Sequence, residues 1–400
     1  MSHIASSLEL DFSLQRYLPV SELELMDVEG VRLLLKGDSI IDWHRMNFRT
    51  REQVDNFLRV NQFEPDDVQD QRRFRYLHQE AIQYLRNHFN LRFPVKLNDP
   101  ADVRELFLYA SFSERKFNRL QLLSCVLLKV MSILHHIEGR SLLFRTPISD
   151  LDLFALVQER VDAFTEQAQR ANVPVVQCYG SRKSRDSLIT KLLSKKDTIA
   201  ATIFDKLRYR VVVEDYEDLM PVLSYMIHTF LPYNYTIPNE SNNNLLDIWS
   251  LLEGRPDLKE QMDGVLSNYR WRDDGSRAGL GANIFSGSTY KTINFIVDLP
   301  VRLDAFLTQE DMIRYGRIGF VLVEFQVVDE RTEVGNDQGE NSHELYKRRQ
   351  RDRVLERLRW GGLLKIRQQQ REQEKLEKAA TSGSVPGEVE GKINPGRADR

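Results

Sequence analysis

The sequence predicts an α+β protein. An all-helical part spans residues 1–172, and a mixed β-sheet with helices around it spans 173–360. Two observations carry this. Across 51–171, apolar residues recur at three- and four-residue spacing, the period of helices with one buried face. From Val173 onward, short β-branched runs alternate with helical stretches.

Taken in order, helical spacing runs through 51–58, 66–89, 100–109, 114–137 and 149–171. Asn98-Asp99-Pro100 reads as a helix start, since Pro suits the first turn, where its missing N–H has no intrahelical partner anyway. The run from Val173 to Tyr179 reads as a strand, as does 207–213, and 218–230 returns to helical spacing. The clearest strands are 290–297 and 319–328, expected to be neighbours in one sheet. Between them, 238–288 holds Asn-rich and Gly-rich stretches with one helical piece at 245–252, and reads as an insertion. From Tyr346 to about Ala380 the chain is rich in Arg, Gln and Glu, an exposed helix. The remainder to residue 400 has the composition of a disordered tail.

Composition narrows the function classes. The 400 residues are 41% hydrophobic and 29% charged, an ordinary globular mixture. A net charge of −3 means that any phosphate-binding surface must be local. Two cysteines, Cys125 and Cys178, make no disulfide framework and fit a reducing compartment. The N-terminus has no basic start followed by an apolar run, so a cytoplasmic location is expected. The most apolar stretch, 120–134, is interrupted by Lys129 and reads as a buried helix, so no membrane is expected as a partner. No cysteine–histidine cluster has zinc spacing, and no Walker loop or Rossmann glycine fingerprint appears. His135-His136 has no following Asp and reads as a core or helix-end pair.

Strand alternation puts Val321, Val323, Phe325 and Val327 on one face of 319–328, and Leu322, Glu324, Gln326 and Val328 on the other. An acid flanked by so much apolar chain needs a partner. Taken alone, Glu324 is a salt bridge to an Arg or a residue on a solvent-facing side. Asp205, just before the 207–213 strand, is by itself a turn or cap residue. Tyr290, Thr292 and Asn294 alternate onto one strand face. Lys183, Ser187 and Lys191, four apart, share one helix face, a basic surface that is either solvated or ligand-binding.

Five islands in fixed order join these residues: Gly180 to Lys191, Ile203 to Val213, Tyr290 to Asn294, Val323 to Val327, and His343 to Lys347. Together they resemble the synthetase domain of the RelA/SpoT family. The resemblance covers about 173–360 and implies a nucleotidyltransferase-like fold. It implies an ATP-dependent pyrophosphotransferase that moves pyrophosphate from ATP to the 3′-hydroxyl of a guanine nucleotide, with Mg²⁺ as cofactor. It also implies roles for individual residues. Asp205, followed by Arg210, falls on the metal-binding acid, and Glu324 falls on the acid of the Glu-x-Gln strand, with Gln326 beside it. Around Mg²⁺ these acids neutralise phosphate charge, and Glu324 helps deprotonate the attacking hydroxyl. Tyr290 falls on the guanine-stacking tyrosine, with Asn294 on the same face. Lys183, Ser187 and Lys191 fall on the grip for ATP phosphates. His343, Tyr346 and Lys347 fall on an architectural motif, with Lys347 near phosphate.

The chain departs from the family pattern at several points. Ser181 stands where the family has Arg, and Arg182 is adjacent. Thr289, Thr292 and Asn294 replace Gly, Ser and His. Val327-Val328-Asp329 replaces Ile-Arg-Thr, removing a second arginine. Arg270, Arg272 and Arg277 in the insertion are candidates to supply compensating charge. Two readings stay open beside the enzyme: a catalytically degenerate nucleotide-binding or regulatory protein, and transfer to an RNA 3′ end. The role of the helical part and the oligomeric state are not legible.

Overall fold

A computed structural model describes residues 17–36, 43, 46–111, 118–194, 207–238, 240–267, 290–336, 338, 343–359 and 362–381. In chain order the helices are α1 (Leu25–Lys36), α2 (Arg51–Val60), α3 (Val68–Phe89), α4 (Val95–Asn98), α5 (Glu105–Ala110), α6 (Arg119–Arg145) and α7 (Asp150–Arg170). Strand β1 (Val175–Arg182), α8 (Arg185–Ser194), β2 (Leu207–Val213), α9 (Leu219–Thr229), β3 (Asn242–Asn243), α10 (Ile248–Leu251) and α11 (Pro256–Ser267) follow. Last come β4 (Ile293–Arg302), α12 (Gln309–Tyr315), β5 (Ile318–Asp329), α13 (Glu330–Asn336), α14 (His343–Arg359) and α15 (Gly362–Thr381).

Local chemistry sets many of these ends. Thr50 and Gln53 form a capping box at the start of α2, and Ser149 and Asp152 form one at α7. Asp67 caps α3, and Asn90 ends it in the left-handed conformation. Of the helix expected over 100–109 only α5 forms, from Glu105, with the short α4 ending before it at Asn98. Asn98-Asp99-Pro100 closes α4 rather than opening a helix, because Pro100 drives Asp99 out of helical geometry. The Asp102 carboxylate then accepts from the Arg104 backbone N–H at 2.9 Å, a local turn that delays α5 to Glu105. Helix α1 is buried on nearly every side, through Leu25, Val28, Val31, Leu33, Leu34 and Leu35.

The protein is α+β, with a five-stranded mixed sheet in the order β1-β2-β5-β4-β3. Strands β2 and β5 are parallel; the other pairs are antiparallel. As expected, the 290–297 and 319–328 regions are neighbours, β4 and β5 pairing over ten positions from Ile293↔Val327 to Arg302↔Ile318. The insertion contributes the edge strand β3, which pairs with β4. Tyr290 is not in the strand. Thr292 N–H donates to Asn244 Oδ1 at 2.7 Å, and Asn336 binds both backbone groups of Lys291. These side chains take the places that a neighbouring strand would fill.

One face of the sheet is largely apolar. Tyr209, Phe295 and Phe325 stack across three strands at 5.8–6.0 Å, and Phe230 meets Phe325 at 5.5 Å. Helices α7 and α9 cover this face, with Phe164 stacked on Phe230. The first 172 residues and the sheet share one continuous core, so the boundary at 172 is a turn between α7 and β1 rather than a gap in packing. Arg160 of α7 fastens this junction. Its guanidinium donates to the carbonyls of Val60 at 3.2 Å, Phe230 at 2.9 Å and Pro300, thereby joining α2, the end of α9 and β4. Burial pushes its pKa down to about 9.

The opposite face is divided. Helix α6 covers the start of β5, and Gly139 permits the approach: a Cβ there would come within 2.7 Å of the Ile318 carbonyl and collide with the Phe320 ring. Asp298 on β4 is buried here against His136 at 2.7 Å and Arg140 at 3.3 Å. Helix α6 runs 27 residues, longer than its most apolar stretch, and is long and apolar enough to cross a membrane. Here it is spent on packing against α3, α5 and β5. Past the His136–Asp298 contact this face turns polar.

Arg160→Met would leave three carbonyls without their donor, and is expected to lower unfolding free energy by about 3–5 kcal/mol in urea titration. A change below 1 kcal/mol would mean that the junction does not rest on Arg160. Gly139→Ala should cost about 1–3 kcal/mol through overpacking against Phe320, read as a lower Tm with an unchanged helical circular-dichroism spectrum.

Candidate functional site

Strand register assembles the polar end of this face. Arg208 lies opposite Glu324 and Arg210 opposite Gln326. Asn294 of β4 is also opposite Gln326, while Tyr179 and Ser181 of β1 are opposite Arg210 and Arg208. Because side chains alternate along a strand, all of these share a face.

Glu324 is only 4% exposed. Its Oε2 accepts from Arg208 Nε at 2.8 Å, and its Oε1 accepts from Asn294 Nδ2 at 2.6 Å and Gln326 Nε2 at 3.2 Å. Burial pushes the carboxyl pKa up, but Arg208, joined by Lys183 and Asn294, outweighs it and holds the group below the usual carboxylate range. The salt bridge to an Arg that apolar flanks demand is therefore present.

Lys183 is not on a helix: β1 runs through Arg182, and Lys183 lies in the turn before α8. Ser187 and Lys191 are on α8, where Ser184 Oγ accepts from the Ser187 N–H at 3.3 Å. The turn still brings Lys183 to the site. Burial, then the charges of Lys191 and Arg208, push its amine from 10.5 to about 7, while Glu324 pulls the other way. Three basic side chains thus meet one carboxylate, an arrangement that favours an anion.

Arg210 holds a second cluster. Its Nη1 donates to both Glu333 oxygens at 3.1 and 2.8 Å, and its Nη2 donates to Tyr290 Oη at 2.9 Å and Gln326 Oε1 at 2.6 Å. Tyr179 Oη also donates to Glu333, at 2.7 Å. Burial works against the Arg210 charge, but Tyr290 and Glu333 more than compensate, raising its pKa above the ordinary value. Tyr290 is half-buried, and its carbonyl is held by Asn244 Nδ2 at 2.8 Å.

Of the expected residues, Glu324, Gln326, Asn294, Arg210, Tyr290 and Lys183 therefore converge, with Lys191 beside Lys183. Lys347 lies exposed on α14. That helix packs on α8 through Gln350 to Ser194 at 3.5 Å and Arg357 to the Leu193 carbonyl. Asp205 lies outside the described residues, as do Arg270, Arg272 and Arg277. Arg208, Tyr179, Glu333, Asn244 and Asn336 were not anticipated. Arg208 had a signal, two residues before Arg210 on the same strand face; Glu333 had none, being one acid in a charged segment.

The Mg²⁺ expectation requires two acids. Among the described residues only Glu324 is present, with both oxygens bonded to donors, and no three His, Cys, Asp or Glu side chains gather to hold a metal. By themselves the described residues supply one of the two expected acids, set among basic side chains.

No family model and no curated protein matches this chain. Among solved structures it is similar to small alarmone synthetase 2 from Bacillus subtilis, with 14% identity and a TM-score of 0.29 over 58% of this chain and 97% of that one. Small alarmone synthetase 1 from the same organism, bound to its product pppGpp, gives 14% identity and a TM-score of 0.28 over 55% and 93%. A GTP pyrophosphokinase family protein from Streptococcus pneumoniae gives 13% and 0.26 over 58% and 94%. The likeness is faint.

Arg208→Met would leave Glu324 buried and unpaired, and is expected to lower stability by about 3 kcal/mol at neutral pH. Because the carboxyl pKa is depressed in the fold, the pair stabilises above the unfolded value of about 4.3 and is lost as pH falls through the folded value. The loss in the variant should therefore shrink in acid, and Arg208→Met with Glu324→Gln should recover much of it. Lys183 gives a second pH test. Between about 7 and 10.5 the unfolded chain holds the proton that the fold releases, so this group makes stability rise with pH across that window. A polyphosphate bound beside Lys183 restores the charge. At pH 8, calorimetry in buffers of different ionisation heat should show uptake of about one proton, absent in Lys183→Met.

Proposed function

We propose that this protein is a divergent RelA/SpoT-like synthetase that transfers pyrophosphate from ATP to the 3′-hydroxyl of a guanine nucleotide on this sheet face. The observation that carries the reading is Glu324: a buried, anionic acid beside Lys183, Lys191 and Arg208, with the Arg210–Tyr290 pair next to it. Phosphoryl chemistry needs positive charge fixed in advance where phosphate oxygens gain charge, plus one acceptor for the hydroxyl proton. Lys183, Lys191 and Arg208 take the phosphate oxygens. The acceptor's 3′-oxygen bonds to the β-phosphorus of ATP, the bond from that phosphorus to the α-bridging oxygen breaks, and AMP leaves. The hydroxyl proton passes to Glu324. An acid held by Arg208 and Asn294 is a weak base, so incoming phosphates that draw Arg208 away strengthen it. The Tyr290 ring offers a stacking face for guanine while Arg210 fixes its hydroxyl. Asp205 is where a second carboxylate, and with it Mg²⁺, enters the proposal.

The occupied oxygens of Glu324, with Ser181 and Val328 at the positions of the two family arginines, favour a second reading: a nucleotide-binding protein without turnover. One assay separates them. The full chain is incubated with labelled ATP, Mg²⁺ and, in turn, GDP, GTP and tRNA. Label is expected on the guanine nucleotide, and Glu324→Gln and Asp205→Asn should each abolish it while the circular-dichroism spectrum shows the fold retained. Tyr290→Ala should weaken guanine-nucleotide binding by about 1–3 kcal/mol. Binding that depends on Tyr290 without transfer selects the second reading. Label on tRNA moves the acceptor to an RNA end. Absence of both binding and transfer overturns the assignment.

A further inference from the structure

Packing against α3, α5 and β5 occupies only one side of α6. Leu123, Leu127, Leu128, Met131 and Leu142 put that side in the core. The other side faces outward. At about 100° per residue, Leu122, Lys129, Ile133, Ile137, Arg140 and Phe144 fall within about 80° of one another around the helix. They make a line of about 33 Å from Leu122 to Phe144. Its apolar members stand in solvent, Ile137 at 58% exposure and Phe144 at 87%. One exposed apolar side chain is ordinary, but a row of them along one helix face marks a contact surface.

The surface is basic as well as apolar. The chain carries a net charge of −3, yet no Asp or Glu lies between Ala81 and Asn98 or between Asn118 and Ile137. These two stretches touch where Arg119, at the start of α6, donates to the Arg92 carbonyl at 3.3 Å. Around that junction Arg86, Arg92, Lys96 and Arg119 are exposed. So are the Phe89 ring and, at 82%, Val95. The one acid of α6, Glu138, is engaged by Arg73 and Tyr76 and lies off the line.

A second copy of this chain would set bases against bases on such a face. A nucleic acid would meet the bases but gain nothing from Val95, Ile133 or Ile137, which have no ring for a nucleobase to stack on. The core of a protein interface is depleted in charge, lysine included, whereas Lys129 and Arg140 sit inside the apolar line. A bilayer surface uses both kinds of residue. Apolar side chains enter the acyl boundary while lysine and arginine reach back to anionic headgroups. We propose that the outward face of α6, with the ends of α3 and α4 beside it, docks on an anionic lipid surface. The helix lies along that surface and does not cross it, because its other side is held in the core. None of Glu324, Arg208 or Lys183 takes part, so this docking stands or falls separately from the proposed transfer.

The test is co-sedimentation of the full chain with vesicles of phosphatidylcholine and phosphatidylglycerol, and with vesicles of phosphatidylcholine alone. Binding is expected to the anionic vesicles, to fall at high salt, and to be far weaker to the neutral ones. Ile137→Glu with Phe144→Glu should weaken it by about tenfold or more. Both side chains are exposed, so Tm should stay where it is. Arg92→Glu with Lys96→Glu, at the other end of the face, should weaken binding by about tenfold and remove much of its salt dependence. The proposal is overturned if the anionic vesicles are not bound, if the neutral ones are bound equally well, or if both double variants bind as the unaltered chain does. Light scattering that shows a dimer broken by Ile137→Glu with Phe144→Glu overturns it in favour of a second copy. Oligouridine bound in place of vesicles, and lost with Arg92→Glu and Lys96→Glu, overturns it in favour of nucleic acid.

Discussion

The parallel register of β2 on β5 is the constraint on which the rest of the site depends. It sets Arg208 across from Glu324 and Arg210 across from Gln326. A slip of one residue would turn every one of these side chains to the other face. The register is locked from behind, because the same alternation stacks Tyr209 on Phe325 and Phe325 on Phe295 in the apolar layer. Core packing on one face and charge pairing on the other are two consequences of one alignment.

The helical first half is part of this arrangement rather than an attachment to it. Helix α7 covers the apolar face, and Tyr209 reaches it with a hydrogen bond to Gln158 at 2.7 Å. Helix α6 covers the start of β5 on the other face, and Asp298 is neutralised beneath it. The polar site begins where α6 no longer covers the strand. The place where α6 leaves the strand therefore divides an otherwise continuous strand face into a core part and a polar part.

Charge at the site is distributed in two groups with different tasks. Around Glu324 the bases outnumber the acid, and burial, joined by the Lys191 and Arg208 charges, depresses the Lys183 amine. Around Arg210 the balance is closer, since Glu333, Gln326 and the Tyr290 hydroxyl already occupy the guanidinium. In the proposed reading a ligand phosphate meets three basic side chains around one acid at the first group. At the second it would have to compete with Glu333. Both groups are tied together by Gln326, which accepts from Arg210 and donates to Glu324.

Much of this was legible in order but not in space. The alternation of 319–328 determined that Glu324 and Gln326 would share a face away from Val323 and Phe325, and that Glu324 would need a partner, because an unpaired acid among apolar neighbours is too costly to persist. Spacing likewise determined α2, α3, α7 and β2, whose local periods match their burial, and α9, which is buried throughout. It misplaced the helix at 100–109, where a proline and an Asx turn outweigh periodicity, and the strand start at Tyr290, where Asn244 and Asn336 hold the backbone from a distance. It passed over α1. Which base meets Glu324, that Lys183 reaches the site from a turn, and that Glu333 holds Arg210 were decided by tertiary structure alone. Each of those contacts joins residues far apart in the chain, and a sequence records the propensity of its neighbours, not the register that brings distant strands together.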